Sequence, residues 1–304
     1  MKTLLVPTDF SVNANNALKY AISFAKKEND VRIILLHVFN EMDLTADVPP
    51  QCLPCAMEEL KNQAAESMSR LCEKVKKAGL KNGECIYVKG SVVDVILNVI
   101  REKDIDLVVM GTRGARGIKE IFIGSNTERV IKKTHCPVIV VPKKAVFKDI
   151  KNITYVTDYY NSNISTMIKL VKRAKLLNAQ INVLNIYDEE CMASEEKEFM
   201  KEFILKVRSK VNYKKISYQL IYGHYEELRL EEYMNATSSD LLVISKNYRT
   251  LYEKLFGKNI TKKLPYHRNM PLMVFYDEPE SKPIPITKNV FRFAPQHNFG
   301  KTAF

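Results

Sequence analysis

The chain has 304 residues, 46% of them hydrophobic and 27% charged, with a formal net charge of +12. That length accommodates two ordinary domains, and the balance is that of a soluble globular protein, not of a disordered or fibrous one. No apolar run reaches the roughly 18 residues a membrane helix needs, and a strand-like segment starts at Thr3 with no room for a signal peptide before it. No membrane contact is expected, and the expected setting is the cytoplasm.

The positive charge is scattered. Lys26-Lys27, Lys76-Lys77, Lys132-Lys133 and Lys262-Lys263 fall in or at the ends of predicted helices, where cations favour the negative end of the helix dipole. That distribution describes a solvated surface, and no nucleic-acid partner is expected.

In chain order, Thr3–Pro7 is an apolar strand. Ser11–Lys27 is a helix with Ala14, Ala17, Leu18, Ala21, Ile22 and Ala25 at helical spacing. Val31–Val38 is a continuous β-branched and aliphatic run, as a strand buried on both faces requires. A polar connection with Pro49, Pro50 and Pro54 leads to a long amphipathic helix, Met57–Ala78. Glu84–Val88 is a strand, Val92–Arg101 a helix and Asp106–Met110 a strand. A glycine-containing loop, a helix to Lys133 and a strand at Pro137–Val141 follow. This βαβαβαβαβ alternation predicts an α/β unit built on a parallel sheet.

The second half repeats the pattern. Ile153-Thr154-Tyr155-Val156-Thr157-Asp158 echoes Leu4-Leu5-Val6-Pro7-Thr8-Asp9, and Ile181–Ile186 echoes the second strand. Gly223 echoes Gly90, Asp240–Ile244 echoes Asp106–Met110, and Met270–Val274 echoes Cys136–Val140. The expected fold is α/β, with two tandem doubly wound, five-stranded parallel sheets of Rossmann-like strand order 3-2-1-4-5. The expected divisions are a first domain at 1–145, a second at 150–277 and a proline-containing tail at 278–304. The tail has no periodicity, and its phenylalanines leave two readings open: disorder, or packing on the domains or another subunit.

Six cysteines occur, and a disulfide framework is not expected in a cytoplasmic protein of this size. Cys52 and Cys55 form a CxxC pair whose first reading is ordinary loop cysteines. A redox pair or half a zinc site is the alternative, although two further ligands are not apparent at a recognisable spacing.

The chemistry concentrates after the fourth strand. Gly111, Gly114 and Gly124-Ser125 lie between the strand Leu107–Met110 and a helix carrying Val130 and Ile131. A strand, a glycine loop and a helix N-terminus can present free N–H groups to a phosphate. In a sheet of order 3-2-1-4-5 the strand order reverses between strands 1 and 4, and ligands bind there at the carboxyl ends. Pro7-Thr8-Asp9 and Gly111-Thr112-Arg113-Gly114 are the residues at that point. Gly111 and Gly114 are expected to allow positive φ and close backbone approach. Arg113, Arg116 and Lys119 add positive charge, and Asp9 can accept hydrogen bonds from a base amine or a ribose hydroxyl. The bland alternative is that Ser125-Asn126-Thr127-Glu128 is a capping box and the glycines only turn the chain. Neither a P-loop nor a GxGxxG motif is present, and His37 and His135 read as structural.

These residues resemble the universal stress protein family in its tandem form. The likeness rests on Leu5-Val6-Pro7-Thr8-Asp9-Phe10-Ser11, Gly90, Asp106–Gly111, the spacing Gly111-x2-Gly114-x9-Gly124-Ser125, and His135-Cys136-Pro137 with the strand after it. That glycine spacing is the mark of the family's ATP-binding branch. The resemblance implies that Pro7, Thr8, Asp9 and Val38 line the adenosine end. It further implies that Met110, Gly111 and Gly114 lie against ribose and phosphates, and that Gly124, Ser125 and Asn126 hold the phosphates. In the second copy Ser245 and Tyr248 replace the first two glycines and Gly257-Lys258 replaces Gly-Ser, so an empty or altered site is expected there.

The function implied is an ATP-binding regulator of the stress response, with Mg2+ on the phosphates and association into a homodimer or pseudo-dimer. No catalytic residue is assigned. A slow ATPase or nucleotidyl-transfer enzyme, or a chaperone-like scaffold, is the alternative.

Overall fold

The computed structural model describes residues 2–28, 30–39, 49–80, 82–112, 123–159, 164–187, 193–224, 226–245 and 270–276. Arg113, Gly114, Arg116, Lys119, Cys191, Tyr248, Gly257, Lys258 and the tail from 278 onward lie outside them.

In the first half β1 (Lys2–Pro7), β2 (Val31–Phe39), β3 (Glu84–Lys89), β4 (Leu107–Gly111) and β5 (Val138–Val141) alternate with α1 (Val12–Ala25), α2 (Leu53–Lys77), α3 (Val92–Glu102) and α4 (Ser125–Lys133). The second half supplies β6 (Asn152–Val156), α5 (Ile164–Leu177), β7 (Gln180–Tyr187), α6 (Ala193–Lys210), β8 (Ile216–Tyr222), α7 (Glu226–Ala236), β9 (Leu241–Ser245) and β10 (Leu272–Phe275).

All ten strands join one sheet in the order β3-β2-β1-β4-β5-β10-β9-β6-β7-β8. Each half has the expected order 3-2-1-4-5, and within each half every pairing is parallel. The central strands are buried on both faces, which is why Leu107-Val108-Val109 and Val138–Val141 need no polar alternation. Successive residues still divide between faces. Leu4, Val6, Ile33 and Leu35 meet α1 and α2 on one side, whereas Leu5, Ile34, Leu36 and Val108 meet α3 and α4 on the other.

The same hydrogen bonds recur in both halves. The Asp106 carboxylate accepts from Thr3 N at 2.8 Å, and Asp240 accepts from Asn152 N at 2.9 Å. Thr8 N donates to Leu36 O, as Thr157 N does to Leu184 O. Gly90 N donates to Phe39 O, as Gly223 N does to Tyr187 O. An internal duplication is visible atom by atom.

The halves meet through β5 and β10, which pair antiparallel with Ile139 opposite Met273. An antiparallel pair of equivalent strands is the arrangement a pseudo-twofold produces. It also points the carboxyl ends of the two half-sheets toward opposite edges. A buried ionic group adds a second tie: Arg173 of α5 lies 3.8 Å from the Glu28 carboxylate and donates to Asp106 O at 3.2 Å. Lys2 holds the other Glu28 oxygen at 2.7 Å.

Two expectations are corrected. Helix α2 begins at Leu53, a full turn before Met57, because Pro54 fits a first helical turn that needs no N–H. Cys52 and Cys55 are therefore a helix cap and a first-turn residue, not loop cysteines. The second correction is a disulfide: Cys72 of α2 is joined to Cys85 of β3, with Cα atoms 6.4 Å apart.

Candidate functional site

At the carboxyl ends of β1 and β4 a cavity of about 550 Å³ opens. Its floor and walls come from six elements. Pro7 ends β1 and Thr8 and Asp9 follow it; Ser11 caps α1, and Asn13 and Ala14 lie in its first turn; Leu36 and Val38 end β2. Val92 and Ile96 come from α3, Met110, Gly111 and Thr112 from β4, and Gly124 through Thr127 from the start of α4. Of the expected site residues, Pro7, Thr8, Asp9, Val38, Met110, Gly111, Gly124, Ser125 and Asn126 are brought together here, while Arg113 and Gly114 lie outside the described residues.

Local chemistry shapes the β1 end. The Thr8 hydroxyl accepts from Phe10 N and the Asp9 carboxylate accepts from Ser11 N at 3.0 Å, closing a tight turn. Phe10 takes a positive φ of 62° there and packs against His37 with ring centroids 4.3 Å apart and the planes tilted by 38°. Such a conformation is costly for a non-glycine residue and persists only where neighbours enforce it. His37 Nδ1 lies 2.8 Å from Thr8 O. His37 thus supports the turn from behind, which fits its structural reading.

The β4 end is set by Gly111. A Cβ placed there would sit 2.7 Å from Asn13 O, inside the backbone of the first turn of α1. Positive φ is not the reason for this glycine, contrary to expectation: the positive-φ glycines among the described residues are Gly79 and Gly90. Its role is to let α1 close against β4 and so narrow the cavity. Thr127 donates its hydroxyl to Gly111 O at 3.2 Å and fixes α4 beside it.

The capping-box alternative is also resolved. Gly124, not Ser125, is the N-cap of α4, and among the described residues no side chain caps the helix. Its first-turn N–H groups are left for solvent or a ligand, and the helix dipole makes that end attractive to an anion. Apolar Leu36, Val38, Val92, Ile96 and Met110 lie with this polar end in one cavity. That pairing suits a ligand with a flat apolar part and an anionic part.

Sequence reasoning missed Ser11, Asn13, Ala14, Leu36, Val92, Ile96 and Thr127. Asn13 is the most informative, because its buried Oδ1 has no hydrogen-bond partner among the described residues. Its place in the first turn of the helix after strand 1 was the available signal. Cys136, which carries part of the family likeness, is remote from chemistry: burial pushes its thiol up to about 12, and its sulfur donates to Ile105 O.

In the second half Asn185 takes the place of His37, behind the matching turn. Burial, and then the Asp158 carboxylate, raises the Glu196 pKa, offset by a hydrogen bond from Asn185 Nδ2 at 2.6 Å.

A family model for the universal stress protein family matches residues 1–142. Universal stress protein MJ0577 of Methanocaldococcus jannaschii is 35% identical over 157 residues, covering 47% of this chain and 96% of that protein. The chain belongs to the universal stress protein family. Universal stress protein YxiE of Bacillus subtilis is 32% identical over 145 residues, covering 45% of the chain and 97% of its own length. Among solved structures, a universal stress protein from Archaeoglobus fulgidus superposes with a TM-score of 0.67. It covers 90% of this chain and 98% of that one at 16% identity, a likeness of fold. Among the described residues no helix is long and apolar enough to cross a membrane.

Proposed function

We propose that this universal stress protein binds one adenine nucleotide, ATP with magnesium, in its first half and acts in the stress response as a nucleotide-dependent regulator in the cytoplasm. The observation that carries the reading is the uncapped α4 N-terminus opening into the same cavity as Asp9 and the apolar strand ends of β2 and β4. Phosphates belong at the helix, where free N–H groups and the dipole meet them. The nucleoside belongs against Val38 and Met110, with Asp9 accepting from the base or ribose. Arg113 and Gly114 complete the phosphate side by virtue of the glycine spacing.

Magnesium fits as an ion carried by the phosphates. The cavity offers oxygen donors in Asp9, Ser11, Asn13 and Ser125, the kind a hard cation takes. Among the described residues no group of three or more His, Cys, Asp or Glu side chains is placed to hold a metal by itself.

A regulatory role is favoured over turnover because Asp9 is the one ionisable side chain among the described lining residues. The chain divides into a nucleotide-binding domain at 1–145, a degenerate partner domain at 150–277 and the tail at 278–304. The second domain occupies the last-strand edge of the first. Any homodimer of the whole chain would therefore use another surface.

Ser125→Glu tests the assignment. A carboxylate in the first turn of α4 favours the helix, by about 0.3–1 kcal/mol, but opposes a phosphate. The expected result is unchanged or slightly raised thermal stability with ATP affinity reduced at least tenfold in a calorimetric titration. Undiminished affinity would place the phosphates elsewhere.

A further inference from the structure

Helix α2 carries a second cluster of reactive groups that the nucleotide site does not use. A short 3-10 turn, Pro50–Cys52, runs directly into the helix. Cys52 is the cap residue with φ −93° and ψ −11°, already right-handed helical, so Cys52 and Cys55 sit one turn apart on a continuous helical stretch. Helix geometry places Cα atoms three residues apart at about 5 Å, within the range of about 4.4–6.8 Å that a disulfide spans. Side chains in a helix lean toward its N-terminus, so Cys55 leans back over the turn that holds Cys52.

Both cysteines are free and exposed, and Cys52 makes no capping hydrogen bond that would occupy its sulfur. Two sulfurs suffice for a disulfide. A closed zinc site takes four ligands, and no group of three metal-binding side chains exists among the described residues. Cys72, on the same helix, lies about 25 Å along its axis and is already bonded to Cys85.

We propose that Cys52 and Cys55 form a redox-active dithiol that exchanges with a low-molecular-weight disulfide. The Cys52 thiolate attacks one sulfur of the external disulfide, forming a mixed disulfide and expelling the first thiol. The Cys55 thiolate then attacks the Cys52 sulfur and expels the second thiol. One external disulfide is reduced to two thiols, and the protein dithiol is oxidised to one internal disulfide. The Cys72–Cys85 bridge, which ties α2 to an outer strand, is a separate pair.

The test uses the full chain equilibrated in buffers of graded reduced-to-oxidised glutathione ratio. Acid quenching, alkylation of remaining thiols and peptide mass spectrometry then report each cysteine. The expected result is reversible loss of two hydrogens from the peptide containing Cys52 and Cys55, graded with the ratio. In C55S the intermediate should accumulate as one glutathione on Cys52. The proposal is overturned if both thiols stay alkylatable at every ratio, or if each takes its own glutathione without an internal bond. Pairing of either sulfur with a different cysteine would overturn it as well. Protection of both thiols by half an equivalent of zinc per chain would also overturn it, in favour of a tetrathiolate shared by two chains.

Discussion

Gly111 shows how a residue identified for one reason serves by another. Its spacing from Gly114 and Gly124 marked it as a phosphate-loop glycine, yet the contact that excludes a side chain is with the backbone of Asn13 and Ala14. A methyl group there must push the first turn of α1 outward, carrying Ser11 and Asn13 away from the cavity. Gly111→Ala is expected to lower stability by about 1–3 kcal/mol, as overpacking does, and to weaken ATP binding about tenfold. Thermal unfolding and calorimetry on the same sample check both. Unchanged values in both would mean that α1 yields without cost. The glycine was legible because its position after a buried strand is rare and specific. Its reason was not, because α1 precedes it by a hundred residues and no local pattern reports that approach. Ser125 differs: its capping motif suggested a helix cap, and only the backbone path showed that Gly124 takes that place.

At the scale of elements, strands and most helices were legible because burial imposes a period. Val31–Phe39 and Leu107–Gly111 are sandwiched between helix layers, so continuous apolar runs marked them. Helix α2 was misread at its start, since Pro49, Pro50 and Pro54 together resemble a loop while a proline in the first helical turn costs nothing. Its tie to the sheet was also invisible. Cys72 and Cys85 stand on different elements, and nothing in their spacing shows that a helix packed by Met68, Leu71 and Val75 brings them together. The bridge joins α2 to the outermost strand of the first half. Cys72→Ser is expected to lower stability by about 2–4 kcal/mol, the usual contribution of a bond closing a short loop. Urea unfolding with and without a mild reductant checks this: the reductant should shift the wild-type midpoint toward that of the variant. A variant whose midpoint matches that of the oxidised wild type would show that the bond adds no stability.

Across the whole molecule, the duplication was legible from paired motifs and is now visible as paired hydrogen bonds at Asp106 and Asp240. The junction beyond β5 and β10 was not legible. Glu28 and Arg173 lie in different halves, and each alone reads as a surface charge, yet their side chains are only 1% and 11% exposed. Removing Arg173 leaves the buried Glu28 carboxylate with Lys2 as its remaining partner, a loss of about 1–3 kcal/mol, less than that of a wholly orphaned buried charge. Arg173→Met is expected to destabilise by about 1–3 kcal/mol, and the double variant Glu28→Gln with Arg173→Met is expected to recover most of it in thermal unfolding. No recovery would mean that Arg173 acts by packing and not by charge. The same antiparallel junction sends the two half-sheets' binding edges in opposite directions, so each half must form its own site. The first has, among the described residues, an uncapped helix and a single lining carboxylate, whereas the second lacks the glycine pattern. One nucleotide site per chain follows. Calorimetric titration of the intact chain with ATP and magnesium is expected to give one nucleotide per chain, and two per chain, or none at millimolar ATP, would contradict it.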